Sequence, residues 1–179
     1  MAGRRRSGER VMLYICPMSQ LERTFRATGA SHLVSLTSSE APPPSVEGLA
    51  AENRLHLAMH DITEQRPGLV APSGEHVEAL LAFARAWDCR TPMVVHCYAG
   101  ISRSTAAAYV IAVALARETD ELELARMLRA RAPFATPNRR IVALGDALLR
   151  REGRMMHAIQ TIGRGADAFE GAPFHLPVR

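Results

Sequence analysis

The stretch Met93-Val94-Val95-His96-Cys97-Tyr98-Ala99-Gly100-Ile101-Ser102-Arg103-Ser104 passes from an apolar run, through a turn of small residues, into an Ala-rich segment. Pro92 precedes it, and Met93–His96 reads as a short buried strand. Cys97–Arg103, with Gly100 at its centre, reads as a loop. From Ser104 to Arg117 the chain is Ala-rich and aliphatic, the pattern of a buried helix. A buried strand that feeds a glycine loop and then a helix is the element of an α/β fold with a largely parallel sheet.

Outward from that unit the same alternation continues. Val11–Ile15 and Ser31–Leu36 read as strands, with Leu21–Thr28 as a helix between them. Arg54–Met59 alternates in polarity as a third strand. Thr37–Gly48, with three consecutive prolines at 42–44, and His60–Pro72 read as loops. Ser73 caps a helix to about Trp87, with Val77, Leu80, Leu81, Ala84 and Trp87 as its apolar stripe. Helices are expected near Asp120–Ala130, from Asn138 through Ile141, Leu144 and Leu148, and over Met155–Ile162. The expected architecture is therefore a single α/β domain, a central largely parallel sheet flanked by helices. Residues 1–10 are read as a flexible N-terminus, 11–162 as the domain and 163–179 as a C-terminal tail.

The 179 residues are 47% hydrophobic and 22% charged, which fits one globular domain and excludes disorder as the whole answer. Basic residues number 22, all of them Arg, against 18 acidic, a net charge of +4. That excess is too small and too scattered to argue for nucleic-acid binding. Arg4, Arg5 and Arg6 read as a solvated terminus rather than a contact surface. No run of about 18 uncharged apolar residues exists to span a membrane. The opening Met-Ala-Gly-Arg-Arg-Arg lacks the apolar stretch of a secretory signal. Three cysteines, Cys16, Cys89 and Cys97, an odd count, point to a reducing, cytoplasmic setting.

The chemistry concentrates at Cys97. Its thiol emerges where a buried strand ends, beside a helix N-terminus, loop N–H groups and Arg103. Each of these favours the anion, and the thiolate is the nucleophilic form. Arg103 returns over the same cradle six residues later. Its planar fork can hold two phosphate oxygens at once. A ring of N–H donors with one guanidinium suits the spread charge of a phosphoryl group in transfer. Ser104 is placed to donate to the sulfur as it leaves.

His96-Cys97-x5-Arg103-Ser104 resembles the signature of the protein tyrosine phosphatase superfamily. Ala99-Gly100-x-Ser102-Arg103-Ser104 is similar to its dual-specificity branch, as is Pro137-Asn138 at the start of a later helix. The likeness runs over roughly Val11–Leu149 and is to compact single-domain bacterial members. It implies a dual-specificity-phosphatase-like fold and a cysteinyl-phosphate mechanism; no His/Cys/Asp grouping in the sequence has metal-ligand spacing, so no metal or cofactor is expected. It further implies a general acid on a loop after an earlier strand. Asp61 follows Arg54–Met59 and precedes Cys97 by 36 positions. Glu64 is the alternative acid. On this reading Cys97, Arg103, Asp61 and Ser104 are catalytic. Tyr98, Ala99, Gly100, Ile101 and Ser102 join Arg103 in binding substrate, mainly through their backbones.

His96 is read as a support that bonds backbone near the thiol. Asn138 caps its helix and either braces the cradle as well or does nothing more. Arg139 and Arg140 read as a solvated face, and Met155-Met156-His157 as packing. Cys16 and Cys89 read as buried bystanders, with a protective disulfide to Cys97 as the rarer alternative. The uncharged residues 98–102 argue mildly against inositol lipids, whose dedicated phosphatases carry lysines there. No Asn-Arg-Tyr clamp of the large tyrosine-specific enzymes is present. The expected substrate is a phosphorylated protein, phosphotyrosine first and phosphoserine or phosphothreonine with it. The alternatives are a phosphatase of a small-molecule or inositol phosphate, a noncatalytic phosphotyrosine-binding module, and a thiol enzyme such as a sulfurtransferase or arsenate reductase.

Overall fold

The computed structural model describes residues 12–38, 40, 42, 44–116 and 119–178. Residues 1–10, expected to be a flexible terminus, lie outside that range. In chain order the elements are β1 (Met12–Pro17), α1 (Leu21–Thr28), β2 (His32–Thr37), β3 (Arg54–Ala58), α2 (Gly74–Ala86) and β4 (Met93–Cys97). They continue with α3 (Arg103–Leu115), α4 (Glu121–Arg131), α5 (Arg139–Leu148), α6 (Arg154–Ile162) and β5 (Phe174–Pro177).

The sheet runs β3-β2-β4-β1-β5. The first four strands are parallel, and β5 pairs antiparallel with β1. Val94 and Val95 therefore lie on a central strand, covered on both faces, which is why it reads as an unbroken apolar run. Side chains alternate across the pleat. Met93, Val95 and Cys97 join the large core under α2, α3, α5 and α6. Val94 joins the smaller core with Cys16, Leu21, Phe25, Leu33, Val46 and Leu49, on the α1 face. This alternation sends Cys97 toward α3 and leaves His96 on the opposite face, beside β2.

The helix after the central strand is buried from Arg103 to Val113. Alanines at 106–108 and 112 let its backbone lie close to the sheet and to its neighbours. Two expectations at the ends of the chain need correction. β1 extends past Ile15 through Cys16 and Pro17, because Pro17 stands at the strand's last position, where a missing N–H costs little. Residues 163–179 are not merely a tail: Phe174–Pro177 forms β5, with Phe174, Leu176 and Val178 buried in the main core.

Candidate active site

β4 ends at Cys97 beside the end of β1, with Cys97 in register with Pro17. The loop that follows turns at Gly100, whose φ is +70°. A Cβ there would stand 2.7 Å from the Pro17 nitrogen, so both the backbone angle and the close approach require glycine.

The carbonyls of this loop are held from outside. Met18 N–H donates to Tyr98 O at 3.0 Å and Gly171 N–H to Ala99 O at 2.8 Å. Thr136 N–H donates to Ile101 O at 3.0 Å, and Asn138 N–H to Ser102 O at 3.2 Å. The Thr105 hydroxyl donates to both Ile101 O and Ser102 O. In a trans peptide the N–H points opposite to the preceding C=O. The N–H groups of Ala99, Gly100, Ser102 and Arg103 are thus directed to the other side of the loop. No acceptor among the described residues takes them. Converging N–H groups followed by a helix N-terminus form an anion-binding concavity.

Cys97 is 2% exposed, with Sγ 3.0 Å from Ser104 Oγ. Arg103 is 8% exposed. Its Nη1 donates to Met59 O at 2.8 Å, and its buried Nε has no partner among the described residues. A buried donor without a partner costs about 1–3 kcal/mol, so an anion able to accept from Nε is favoured there.

Asp61 lies just beyond β3 and is tied to the same loop. Its Oδ1 accepts from Ser102 Oγ and from Asn138 Nδ2, each at 2.8 Å. Oδ2 has no partner among the described residues. Asn138 makes side-chain bonds in two directions. Its Oδ1 accepts from Arg140 N and Ile141 N to cap α5, while its amide reaches Asp61. Glu64 is exposed and makes no such link. Arg140 is not a solvated cation as expected: its Nε donates to Pro72 O at 2.6 Å and its Nη1 to Thr63 O, bracing the loop beyond Asp61.

His96 is fully buried on the other face. Its Nδ1 lies 3.4 Å from Cys97 O, a pure acceptor, so Nδ1 carries the hydrogen. Nε2 then accepts from Ser35 Oγ at 2.8 Å, in β2. Burial lowers the His96 pKa to about 4, so the ring is neutral. Burial pushes the Cys16 thiol up to about 12, and the nearby Cys97 charge adds to the shift. Cys16 is therefore protonated and not a rival nucleophile. None of the three cysteines is in a disulfide, so the protective bridge is not formed.

Several contributors carried little mark in the sequence. Ser35, a polar residue set among Leu33, Val34 and Leu36, was the one visible hint. The Met59 carbonyl, the Met18 and Thr136 amides and Gly171 act through backbone atoms that any residue would supply.

The five-stranded, mostly parallel sheet and the strand–loop–helix unit at Cys97 form an α/β fold like that of solved dual-specificity and protein tyrosine phosphatases. Human DUSP28 aligns at TM-score 0.60 and 18% identity, over 78% of this chain and 89% of that one. A mouse putative dual specificity phosphatase, complexed with zinc tungstate, aligns at 0.57 and 19% identity, over 90% of this chain and 98% of that one. PTP-2 phosphatase of Cydia pomonella aligns at 0.58 and 19% identity, over 75% and 84%. No protein-family model matches the sequence, and no curated protein does. Among the described residues, no helix is long and apolar enough to cross a membrane.

Proposed function

We propose that this protein is a cysteine-dependent phosphatase that hydrolyses phosphate monoesters, phosphotyrosine in proteins first and phosphoserine or phosphothreonine with it. The observation that carries the reading is the loop whose carbonyls at Tyr98, Ala99, Ile101 and Ser102 are engaged from outside, with Cys97 and Arg103 at its two ends. Such a loop offers a tetrahedral oxyanion a set of N–H donors and one buried guanidinium.

Cys97 Sγ, as thiolate, attacks phosphorus. The bond from phosphorus to the ester oxygen breaks, and Asp61 delivers a proton to that oxygen, leaving phosphate on sulfur. Asp61, now ionised, takes a proton from water, whose oxygen attacks phosphorus. The S–P bond breaks, and Ser104 Oγ–H donates to the departing sulfur. Ser102 and Asn138 bind Oδ1 of Asp61, which leaves Oδ2 to carry the proton. Residues 98–102 and Arg103 hold the phosphate, and His96 fixes the end of β4. Each step uses side chains and water. The reading carries with it a cytoplasmic, reducing setting, in keeping with a reactive thiol and cysteines outside any disulfide.

Turnover of an aryl phosphate by the purified chain tests this. Activity is expected in the wild type and its complete loss in Cys97→Ser, with inorganic phosphate still bound. Activity surviving Cys97→Ser, or persulfide formation without phosphatase activity, removes the proposal. A screen of phosphopeptides, inositol phosphates and nucleotides then ranks substrates, and preference for a non-protein ester overturns the protein assignment alone.

A further inference from the structure

The donor that holds Ala99 O comes from Gly171, in the segment 163–173 between α6 and β5, beyond the part of the chain that carries the sequence signature. This strap is bonded along its length. Gly163 O accepts from Arg129 Nη2 at 2.7 Å, Gly165 N–H donates to Thr136 Oγ1 at 3.1 Å, and Ala166 N–H donates to Pro133 O at 2.9 Å. Ser19 Oγ donates to Glu170 Oε1. At its end Gly171 N–H reaches Ala99 O at 2.8 Å. β5 then anchors the strap in the sheet against β1.

Gly171 leaves no room for a side chain. A Cβ there would stand 2.9 Å from Gly100 O and 2.5 Å from the Phe134 ring. The backbone of residue 171 therefore lies against two successive peptides of the loop: its N–H bonds the Ala99–Gly100 peptide at Ala99 O, and its Cα side meets the next carbonyl, Gly100 O. Orienting that peptide outward by its carbonyl turns Gly100 N–H inward. By contrast Phe169, two residues earlier, is fully exposed.

We propose that Gly171 is a positioning residue of the phosphate cradle, acting through its N–H on Ala99 O, and that the strap affects turnover by this contact rather than by touching substrate. The proposal rests on the phosphatase reading above. A donor set misplaced by an ångström or less loses much of its hold on a transition state.

The test uses the full chain with Gly171→Ala, Phe169→Ala, Phe134→Leu and the Gly171→Ala/Phe134→Leu double variant. Aryl phosphate kinetics, competitive inhibition by inorganic phosphate and thermal midpoints are measured, with assays run well below each midpoint. Gly171→Ala is expected to weaken phosphate inhibition and lower kcat/KM by about 10–100-fold. Phe169→Ala is expected to match the wild type. The double variant should keep the loss, because the contact with Gly100 O remains when the ring is shortened. Three results would overturn the proposal: wild-type behaviour of Gly171→Ala, full recovery in the double variant, or an equal loss in Phe169→Ala. Should Gly171→Ala not fold, amide hydrogen exchange of the wild type decides. Inorganic phosphate should protect the Gly171 amide together with that of Gly100, and an unchanged Gly171 amide beside a protected Gly100 counts against the proposal. An inactive wild type would sink the phosphatase reading, whereas an active wild type with a normal Gly171→Ala sinks this inference alone.

Discussion

Asn138 joins two tasks in one side chain, and two substitutions separate them. Its Oδ1 accepts from Arg140 N and Ile141 N at 3.0 and 3.2 Å, and its Nδ2 donates to Asp61 Oδ1 at 2.8 Å. Asn138→Ala removes both. Loss of a good N-cap costs about 1 kcal/mol, with a range of about 0.5–2. Asn138 is 5% exposed, and the two orphaned amides open α5, so a cost toward the upper end is expected. For a chain of this length about 2 kcal/mol lowers the thermal midpoint by about 4–8 °C. Asn138→Asp keeps the acceptor and adds a negative charge at a helix N-terminus, so its cap is as good as asparagine's. It loses the donor to Asp61 and sets a second carboxylate beside it. The cap's share of stability should be kept, and the remaining cost is the repulsion between the two close carboxylates, which is relieved when one of them takes a proton. Both variants lose the bond that orients the acid. Both should therefore fall in kcat by about 10–100-fold on an aryl phosphate with a poor leaving group, and by less on one with a good leaving group. Thermal melts and steady-state kinetics on the two substrates measure both effects in each variant. Full activity in Asn138→Asp would refute the claim that Asn138 acts on Asp61. An activity loss that tracks stability across the two variants would refute it as well.

Asp61→Asn should slow a poor leaving group by about 10²–10⁴-fold and a good one far less, whereas Glu64→Gln should leave both unchanged. The reverse pattern in a Brønsted series would move the acid to Glu64. Gly100→Ala forces a side chain to φ +70° and to 2.7 Å from Pro17 N, so it should lower both the thermal midpoint and turnover. A variant unchanged in both would show the loop to be slack. His96 has its folded pKa lowered to about 4 from an ordinary 6.5. Between those values the unfolded chain takes a proton that the folded one refuses. Stability is therefore full above pH 6.5 and declines as pH falls toward 4, by about 3 kcal/mol from this group. His32, His56, His76 and His175, also lowered by burial, act with the same sign. Denaturant melts at pH 7 and 4.5 should thus show a smaller loss in His96→Asn than in the wild type, and an equal loss would place the proton elsewhere.

Much of the site was legible because its parts are local. Residues 96–104 hold the thiol, the glycine loop, the guanidinium and the serine within one strand–loop–helix turn, where spacing alone sets geometry. Pro137-Asn138 was visible as a helix start, because Ser, Thr, Asp and Asn at that position cap by side chain. The supports were less legible because they join distant segments through the main chain. Met18, Thr136 and Gly171 offer only N–H groups, which no residue type advertises. Arg140 looked like a surface cation because its acceptors, Pro72 O and Thr63 O, are carbonyls far away in sequence. β5 was missed for a different reason. Its four residues, Phe174–Pro177, are too short for a period and end in proline, a pattern that an edge strand tolerates and a central one does not.

The central claim is that phosphate passes through the sulfur of Cys97. Rapid mixing of the wild-type protein with an aryl phosphate, a denaturing quench within the first turnover and peptide mass analysis tests it directly. One phosphoryl group should appear on the peptide bearing Cys97, and none on those bearing Cys16 or Cys89. Product release with no phosphorylated cysteine at any quench time, or with the label on another residue, would contradict it.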